Sequence, residues 1–322
     1  MNRGLAALTG LAIGDALGMP TQSLSRQEIR DRYGALTDFL PGPPDQPIAP
    51  NLPAGSVTDD TEQAVLLGRL LVEGGGRIDP ARLASELTAW EREMRQRGSL
   101  DLLGPSTKAA VQAIAAGEPI ESAGRNGTTN GAAMRITPVG IAFPATDLVD
   151  HVVEASQVTH NTGVALAGAA AVAAAVSTGI AGGTIAEATA AAIVAATAAA
   201  TRGHWVAAAD VATRIAWAAE LVLGHPEQSA ADLVYRLVGT SVATQESVPA
   251  AFAMLAICPD DPWRACLLAA SLGGDCDTIA AMVGAIAGAC HGEFPEHAVR
   301  TVLEVNDLKL DRLAADLVGL RG

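Results

Sequence analysis

Apolar residues recur every three to four positions along most of this chain, and no period-2 alternation runs long enough for a sheet. The pattern predicts a first helix over 4–17, closing near Gly18 and Pro20, and a short one over 25–33. Residues 38–56, DFLPGPPDQPIAPNLPAGS, carry six prolines and read as a loop. Helical spacing resumes over 59–73, 80–97 and 105–117. The glycine- and asparagine-rich stretch ESAGRNGTTNGAAMR, 121–135, reads as a second loop. Helices are then predicted over 146–157, 161–178, 183–202, 204–223, 229–238, 246–257, 261–271, 278–291 and 295–304, with one more in the tail. No internal repeat stands out. The simplest account is an all-α fold, one compact helical domain over residues 1–322.

Composition sharpens that picture. Of the 322 residues, 49% are hydrophobic but only 3% aromatic, so small residues must build the core, which suits closely packed helices. The formal net charge of −14 and the lack of a basic stripe argue against stable nucleic-acid binding and suit a cytoplasmic protein, with a monomer as the default expectation. The first residues, MNRGLAALTGLAIGDALG, resemble a weak signal peptide, but Asp15 interrupts the run and no cleavage pattern follows. The alanine-rich stretch 164–200 is split by Gly179, Gly182 and Gly183, so two packed helices are expected there and no membrane span. Cys258, Cys266, Cys276 and Cys290 form no C-x-x-C pair and read as buried free thiols.

Two acidic clusters carry the candidate chemistry. SVTDDTEQAVLLGRLL places Thr58, Asp59 and Asp60 at a helix start, and LGGDCDTIAAMVGAIAGACHG does the same with Asp275, Asp277 and Thr278. Each cluster alone has a plain structural reading, because Thr and Asp are favoured N-caps and Asp59 with Glu62 fits a capping box. Together they offer four carboxylates and two hydroxyls, a hard oxygen set suited to Mg²⁺, Mn²⁺ or Ca²⁺ and able to bridge two ions. Spacing alone does not show that the clusters meet.

The ordered motifs GLAIGDALGMP (10–20), TDDT (58–61), GPSTKAAVQAIAAG (104–117), NGAAMRITPVG (130–140), VTH (158–160) and GGDCDTIAAMVGAIAGA (273–289) resemble those of the ADP-ribosylglycohydrolase family, which includes the dinitrogenase reductase-activating glycohydrolases. The resemblance implies an orthogonal helical bundle with a metal-binding cleft holding two Mg²⁺, or Mn²⁺. It implies metal ligands at Thr58, Asp59, Asp60, Asp275, Asp277 and Thr278, and substrate contacts at Asn130, Gly131, Met134 and His160. For His160, expected at a helix start, a structural hydrogen bond is the competing reading. Arg135 is expected to make a structural ion pair. The implied reaction hydrolyses the bond between ADP-ribose and an acceptor: a protein side chain, a nucleic-acid end or a small molecule.

Two positions depart from the family pattern. Gln22 stands where many relatives carry glutamate, and a carboxamide cannot act as a base. The loop reads TTNG where many relatives have GNG. The candidate catalytic set is therefore Asp59, Asp60 and Asp101, with Gln22 as the altered member. The alternatives left open are a metal-dependent ribosyl hydrolase of small nucleoside-like molecules, and an ADP-ribose-binding protein with little turnover.

Overall fold

The computed structural model describes residues 2–321, and among them all regular structure is helical. In chain order the α-helices are α1 (Arg3–Gly18), α2 (Arg26–Tyr33), α3 (Asp59–Glu73), α4 (Pro80–Gln96), α5 (Pro105–Ala115), α6 (Ile120–Ala123), α7 (Gly131–Arg135), α8 (Thr137–Ala142), α9 (Leu148–His160), α10 (Gly163–Ile180), α11 (Ile185–Ala199), α12 (Val211–Leu221), α13 (Glu227–Leu233), α14 (Thr244–Ile257), α15 (Pro262–Ala270), α16 (Cys276–His291), α17 (Glu296–Val305) and α18 (Leu310–Gly319). One π-helical turn, Val234–Val238, follows α13.

Small residues decide the central packing. On α1, Gly10, Gly14 and Gly18 fall one turn apart and face α16, which runs antiparallel. A methyl group on Gly10 would sit 2.1 Å from the Gly284 carbonyl oxygen, and one on Gly14 would sit 1.9 Å from that of Ala280. The backbones touch, so no other residue fits this crossing. The contact brings the C-terminal end of α1 against the N-terminal end of α16, where Gly18 abuts Asp277. Helix α10 forms the other spine. It is apolar on all faces, buried, and packed on α7, α8, α9, α11, α14 and α16. Its length and composition would allow a membrane crossing, yet 89% of it lies inside the fold. Around these spines Leu8, Leu11, Leu67, Leu83, Leu87 and Phe252 join one continuous core, each buried leucine contributing about 1.5–3 kcal/mol.

Several predicted boundaries shift for local reasons. The helix expected over 204–223 starts only at Val211, because Asp210 caps it through Thr213 N, and Gly203–His204 is pinned to Asn161–Gly163 by backbone bonds. The segment expected over 229–238 relaxes into the π turn in its last residues. The expected loop 121–135 contains α6 and α7, so Met134 and Arg135 stand on a short helix. His160 closes α9 and does not open α10.

Candidate functional site

Helices α3 and α16 begin side by side. The Thr278 hydroxyl donates to Asp60 Oδ2 at 3.2 Å, joining residues 218 positions apart. Thr58, at the N-cap of α3, also reaches Asp60 Oδ2, at 3.3 Å. The two acidic clusters therefore form one site.

Their acids are not spent on capping. Neither Thr58 nor Asp275, the N-cap residues of α3 and α16, makes a side-chain cap bond. The capping box suggested by Asp59 and Glu62 does not form, since Glu62 accepts from the Trp90 indole at 2.6 Å. The cap of α3 comes from another helix. Asp15 on α1, fully buried, accepts from the backbone N–H and hydroxyl of Thr58 and from the backbone N–H and hydroxyl of Thr61. Asp59 and Asp60 are thereby released to face the site. The sequence carried one signal for Asp15: a lone acid in an apolar helix, one residue after a packing glycine.

The turn before α16 is held just as firmly. Gly273 and Gly274 adopt φ of +90° and +74°, in the left-handed region. A side chain on Gly274 would strike the Thr240 carbonyl at 2.4 Å. Asp275 N donates to Thr240 O at 2.8 Å, Gly274 N to Leu24 O at 2.9 Å and Ser23 N to Gly274 O at 2.8 Å. The Gln22–Ser23 turn is thus stitched to the turn that presents Asp275. The Asn130 amide donates to Asp275 Oδ2 at 2.5 Å. Asp101, in the approach to α5, accepts from Asp59 N at 2.9 Å.

These groups border a cleft of about 280 Å³, whose polar lining includes Gln22, Asp59, Asp101, Thr129, Asn130, Asp275, Asp277 and Thr278, with Gly131 and Met134 beside them. Among the described residues no lysine, arginine or histidine lines it. Thr58 and Asp60 lie just beneath its surface. A larger groove of about 670 Å³ runs between α3, α4 and residues 306–313, away from these carboxylates, and its lining charges are of mixed sign.

Burial governs the electrostatics, and neighbouring carboxylates add to it. Burial, and then Asp101 and Asp277, hold Asp59 well above the usual carboxylate range. Burial and Asp59 do the same to Asp60, and burial and Asp275 to Asp277. Burial pushes Asp275 to about 6, against the Asn130 hydrogen bond that lowers it. Burial also pushes Asp15 to about 6 and Asp101 to about 7. Two buried oxygens, Asp60 Oδ1 and Asp277 Oδ1, have no hydrogen-bond partner among the described residues. Such atoms are costly unless something positive meets them.

A sequence profile of the family described as ADP-ribosylglycohydrolase matches residues 1–322. The chain belongs to the ADP-ribosylglycohydrolase family. It is 37% identical over 323 residues to an uncharacterized protein, YegU, of Escherichia coli K12, covering 98% of this chain and 96% of that protein. It is 31% identical over 163 residues to the ADP-ribosyl-[dinitrogen reductase] glycohydrolase of Rhodospirillum rubrum, covering 50% of this chain and 52% of that one. Among solved structures, one titled ADP-ribosylglycohydrolase-related protein complex superposes with a TM-score of 0.74 at 25% identity, covering 100% of this chain and 98% of that chain.

Within this family member two candidate residues sit elsewhere than the motifs implied. His160 is fully buried and does not line the cleft; it stands behind Gly131, where a methyl group would meet its Cε1 at 2.9 Å. Arg135 is fully buried and makes no ion pair. It donates to Gln63 Oε1 at 3.3 Å and to Thr159 Oγ1 at 2.5 Å, both neutral. Thr129 and Gln63, which the motif reading passed over, both touch the site: Thr129 lines the cleft and Gln63 donates to Asp59 at 2.9 Å.

The donor set fits a hard divalent cation in kind. Every candidate ligand is an oxygen, and the unpartnered oxygens of Asp60 and Asp277 face a concentration of like charge. No three acids, histidines or cysteines among the described residues close up into a ready-made chelate.

Proposed function

We propose that this chain is a Mg²⁺-dependent hydrolase that cleaves the glycosidic bond between ADP-ribose and an acceptor. The observation that carries the reading is the cleft itself: Asp59, Asp101, Asp275 and Asp277 on its walls, with no cationic side chain among them. An anionic diphosphate would be repelled from such a wall unless cations lay between. Thr58, Asp59, Asp60, Asp275, Asp277 and Thr278 would hold two Mg²⁺, or Mn²⁺. Bound there, the ions would supply Lewis acidity and a chelating platform for the ribose diol.

The chain's own residues do the rest. Asn130 holds Asp275 in place, and Asp15 holds the start of α3, so the carboxylates are oriented before substrate arrives. Asp101 stands at the cleft wall, hydrogen-bonded to Asp59 N, and can take a proton from the attacking water; Asp59 also lines the cleft, and Asp60 is buried beside it. Gln22 takes no proton. Gln22 is 6% exposed and borders the cleft, and among the described residues its buried Nε2 has no partner, which leaves the carboxamide to donate a hydrogen bond to bound substrate.

One observation favours a second reading. The cleft's volume of about 280 Å³ lies at the small end of ligand sites, roughly 300–1,000 Å³, and suits a ribosyl group with a small leaving group. That reading is a metal-dependent ribosyl hydrolase of nucleoside-like molecules. Release of free ADP-ribose from arginine-, serine- and nucleic-acid-linked substrates, with Mg²⁺ and with EDTA, separates the two. Mg²⁺-dependent release from one linkage supports the first reading and names its acceptor; no release from any, with Mg²⁺ shown to bind, sinks it.

A further inference from the structure

A chain of hydrogen bonds through the buried interior links two residues of the cleft lining, Asp59 and Thr129. It starts at Asp59 Oδ2, which accepts from Gln63 Nε2 at 2.9 Å. Gln63 Oε1 accepts from Arg135 at 3.3 Å, and Arg135 donates again to Thr159 Oγ1 at 2.5 Å. Thr159 Oγ1 lies 2.7 Å from His160 Nδ1, and His160 Nε2 lies 3.0 Å from Thr129 Oγ1. Thr129 is half-buried and stands on the cleft wall.

Arg135 sets the direction of every bond in it, because a guanidinium donates and cannot accept. Gln63 must turn its oxygen to Arg135 and its N–H₂ to Asp59. Thr159 must accept from Arg135. Its single proton then has one acceptor among its partners, His160 Nδ1. His160 is therefore neutral with its proton on Nε2. A proton on Nδ1 as well would leave the buried Thr159 hydroxyl undirected and set an imidazolium beside Arg135. Burial and that neighbouring charge accordingly hold the imidazole well below its usual range. Nε2–H donates to Thr129 Oγ1. The Thr129 hydroxyl, having accepted, keeps its own proton free at the cleft, and the bonds behind it polarise it.

We infer that Thr129 is a ligand-binding residue, whose hydroxyl donates to a phosphoryl or hydroxyl oxygen of the substrate because Arg135, Thr159 and His160 fix its proton toward the cleft. Arg135, Thr159 and His160 are positioning residues for that donor. The assignment explains how a fully buried histidine, absent from the cleft lining, acts on the ligand through a neighbour. Asp59, Asp101, Asp275 and Asp277 share the lining, so a directed hydroxyl donor at Thr129 adds a neutral hydrogen-bond donor to a lining rich in carboxyl groups.

The test rests on the ADP-ribose reading for its ligand arm and is independent of it for the other. In the ¹⁵N-labelled full chain, the His160 imidazole, assigned with a His160→Gln variant, should show a neutral ring protonated on Nε2, without ligand. Thr159→Val should mix the tautomers. With ADP-ribose as probe and Mg²⁺ present, Thr129→Val should raise Kd about tenfold, the cost of about one hydrogen bond, while Thr129→Ser stays near the unaltered value. Thr129→Val with Thr159→Val should bind no worse than Thr129→Val alone, since both cut one chain. A ring protonated on Nδ1, or Thr129→Val binding as tightly as the unaltered chain, overturns the inference. If ADP-ribose does not bind the unaltered chain, the substrate reading falls, and the ligand-free tautomer still upholds or overturns the direction of the chain.

Discussion

The Thr278 hydroxyl reaches Asp60 Oδ2 at 3.2 Å, and that single bond joins two helix starts 218 residues apart. Everything proposed for the site depends on that meeting. It is made possible by the close crossing of α1 and α16, which sets Gly18 against Asp277, and by Asp15, which reaches from α1 to tie down the start of α3.

Asp277→Asn tests the crowded carboxylates with two readouts of opposite sign. Asp277 Oδ1 has no partner and sits among like charges. Removing that charge should stabilise the chain in EDTA, by about 1–3 kcal/mol, read as a raised Tm. In Mg²⁺ the same variant should lose most of the ion-induced rise in Tm, together with hydrolysis. If it gains nothing in EDTA and keeps its response to Mg²⁺, the cation site is misplaced. Asp60→Ala and Asp275→Ala should likewise lose metal by calorimetric titration while keeping a helical circular dichroism spectrum.

The pH dependence follows from the burial of these carboxylates. Asp15 and Asp275 are pushed up to about 6 and Asp101 to about 7, above their ordinary value of 3.8. The folded chain therefore holds protons that the unfolded chain has already released. The stability these groups contribute is full below their unfolded value and is lost as pH rises through about 6 to 7. In EDTA, Tm should fall between about pH 5 and pH 8, and Mg²⁺ should restore it most at the alkaline end, where it competes with fewer protons. A Tm that stays level or rises over this range in EDTA would contradict the account.

Asp15→Ala removes a cap supplied from another helix. Two backbone N–H groups, of Thr58 and Thr61, and the Thr61 hydroxyl lose their acceptor in a buried place, while the Thr58 hydroxyl keeps only its longer bond to Asp60. The expected cost is at least about 2–4 kcal/mol, from unsatisfied donors at about 1–3 kcal/mol each with partial relaxation. Asp15→Asn keeps part of the set and should retain the fold, but should weaken Mg²⁺ binding about 10- to 100-fold, as displacement of supporting groups does. Unchanged Mg²⁺ affinity in Asp15→Asn would show that the cap does not govern the ligands.

What the chain's letters made readable was local. Thr58–Asp60 and Asp275–Thr278 stood out because each precedes an apolar helix, and the helices themselves followed from spacing. Asp15 shows as a lone acid in an apolar helix, but its role as the cap of α3 does not, because Thr58 and Thr61 lie on another helix; Gln63 and Thr129 carry no signal at their own positions. The capping reading of Asp59 and Glu62 failed for a related reason: local hydrogen bonding lost to Asp15 and Trp90, which packing delivers. His160, expected at a helix start, instead ends α9, because the chain breaks at Asn161, with φ −89° and ψ 50°, and neither of these residues is a glycine or proline that would mark the break.

Gln22 gives the last prediction. It is buried, borders the cleft, and keeps an unpartnered Nε2. Gln22→Glu would replace a neutral donor with an acceptor and add a carboxylate to a wall already holding Asp59, Asp101, Asp275 and Asp277. Without Mg²⁺ the added charge should lower Tm. With Mg²⁺ it should favour a leaving group that is itself cationic, so the ratio of kcat/KM for arginine-linked over serine-linked ADP-ribose should rise, by about tenfold for one gained charge contact. The neutral amide of the unaltered chain should conversely favour acceptors that offer an oxygen. A ratio that does not move, in a variant whose Mg²⁺ affinity is intact, would place Gln22 outside acceptor recognition and leave its unpaired amide to bind the ribosyl half.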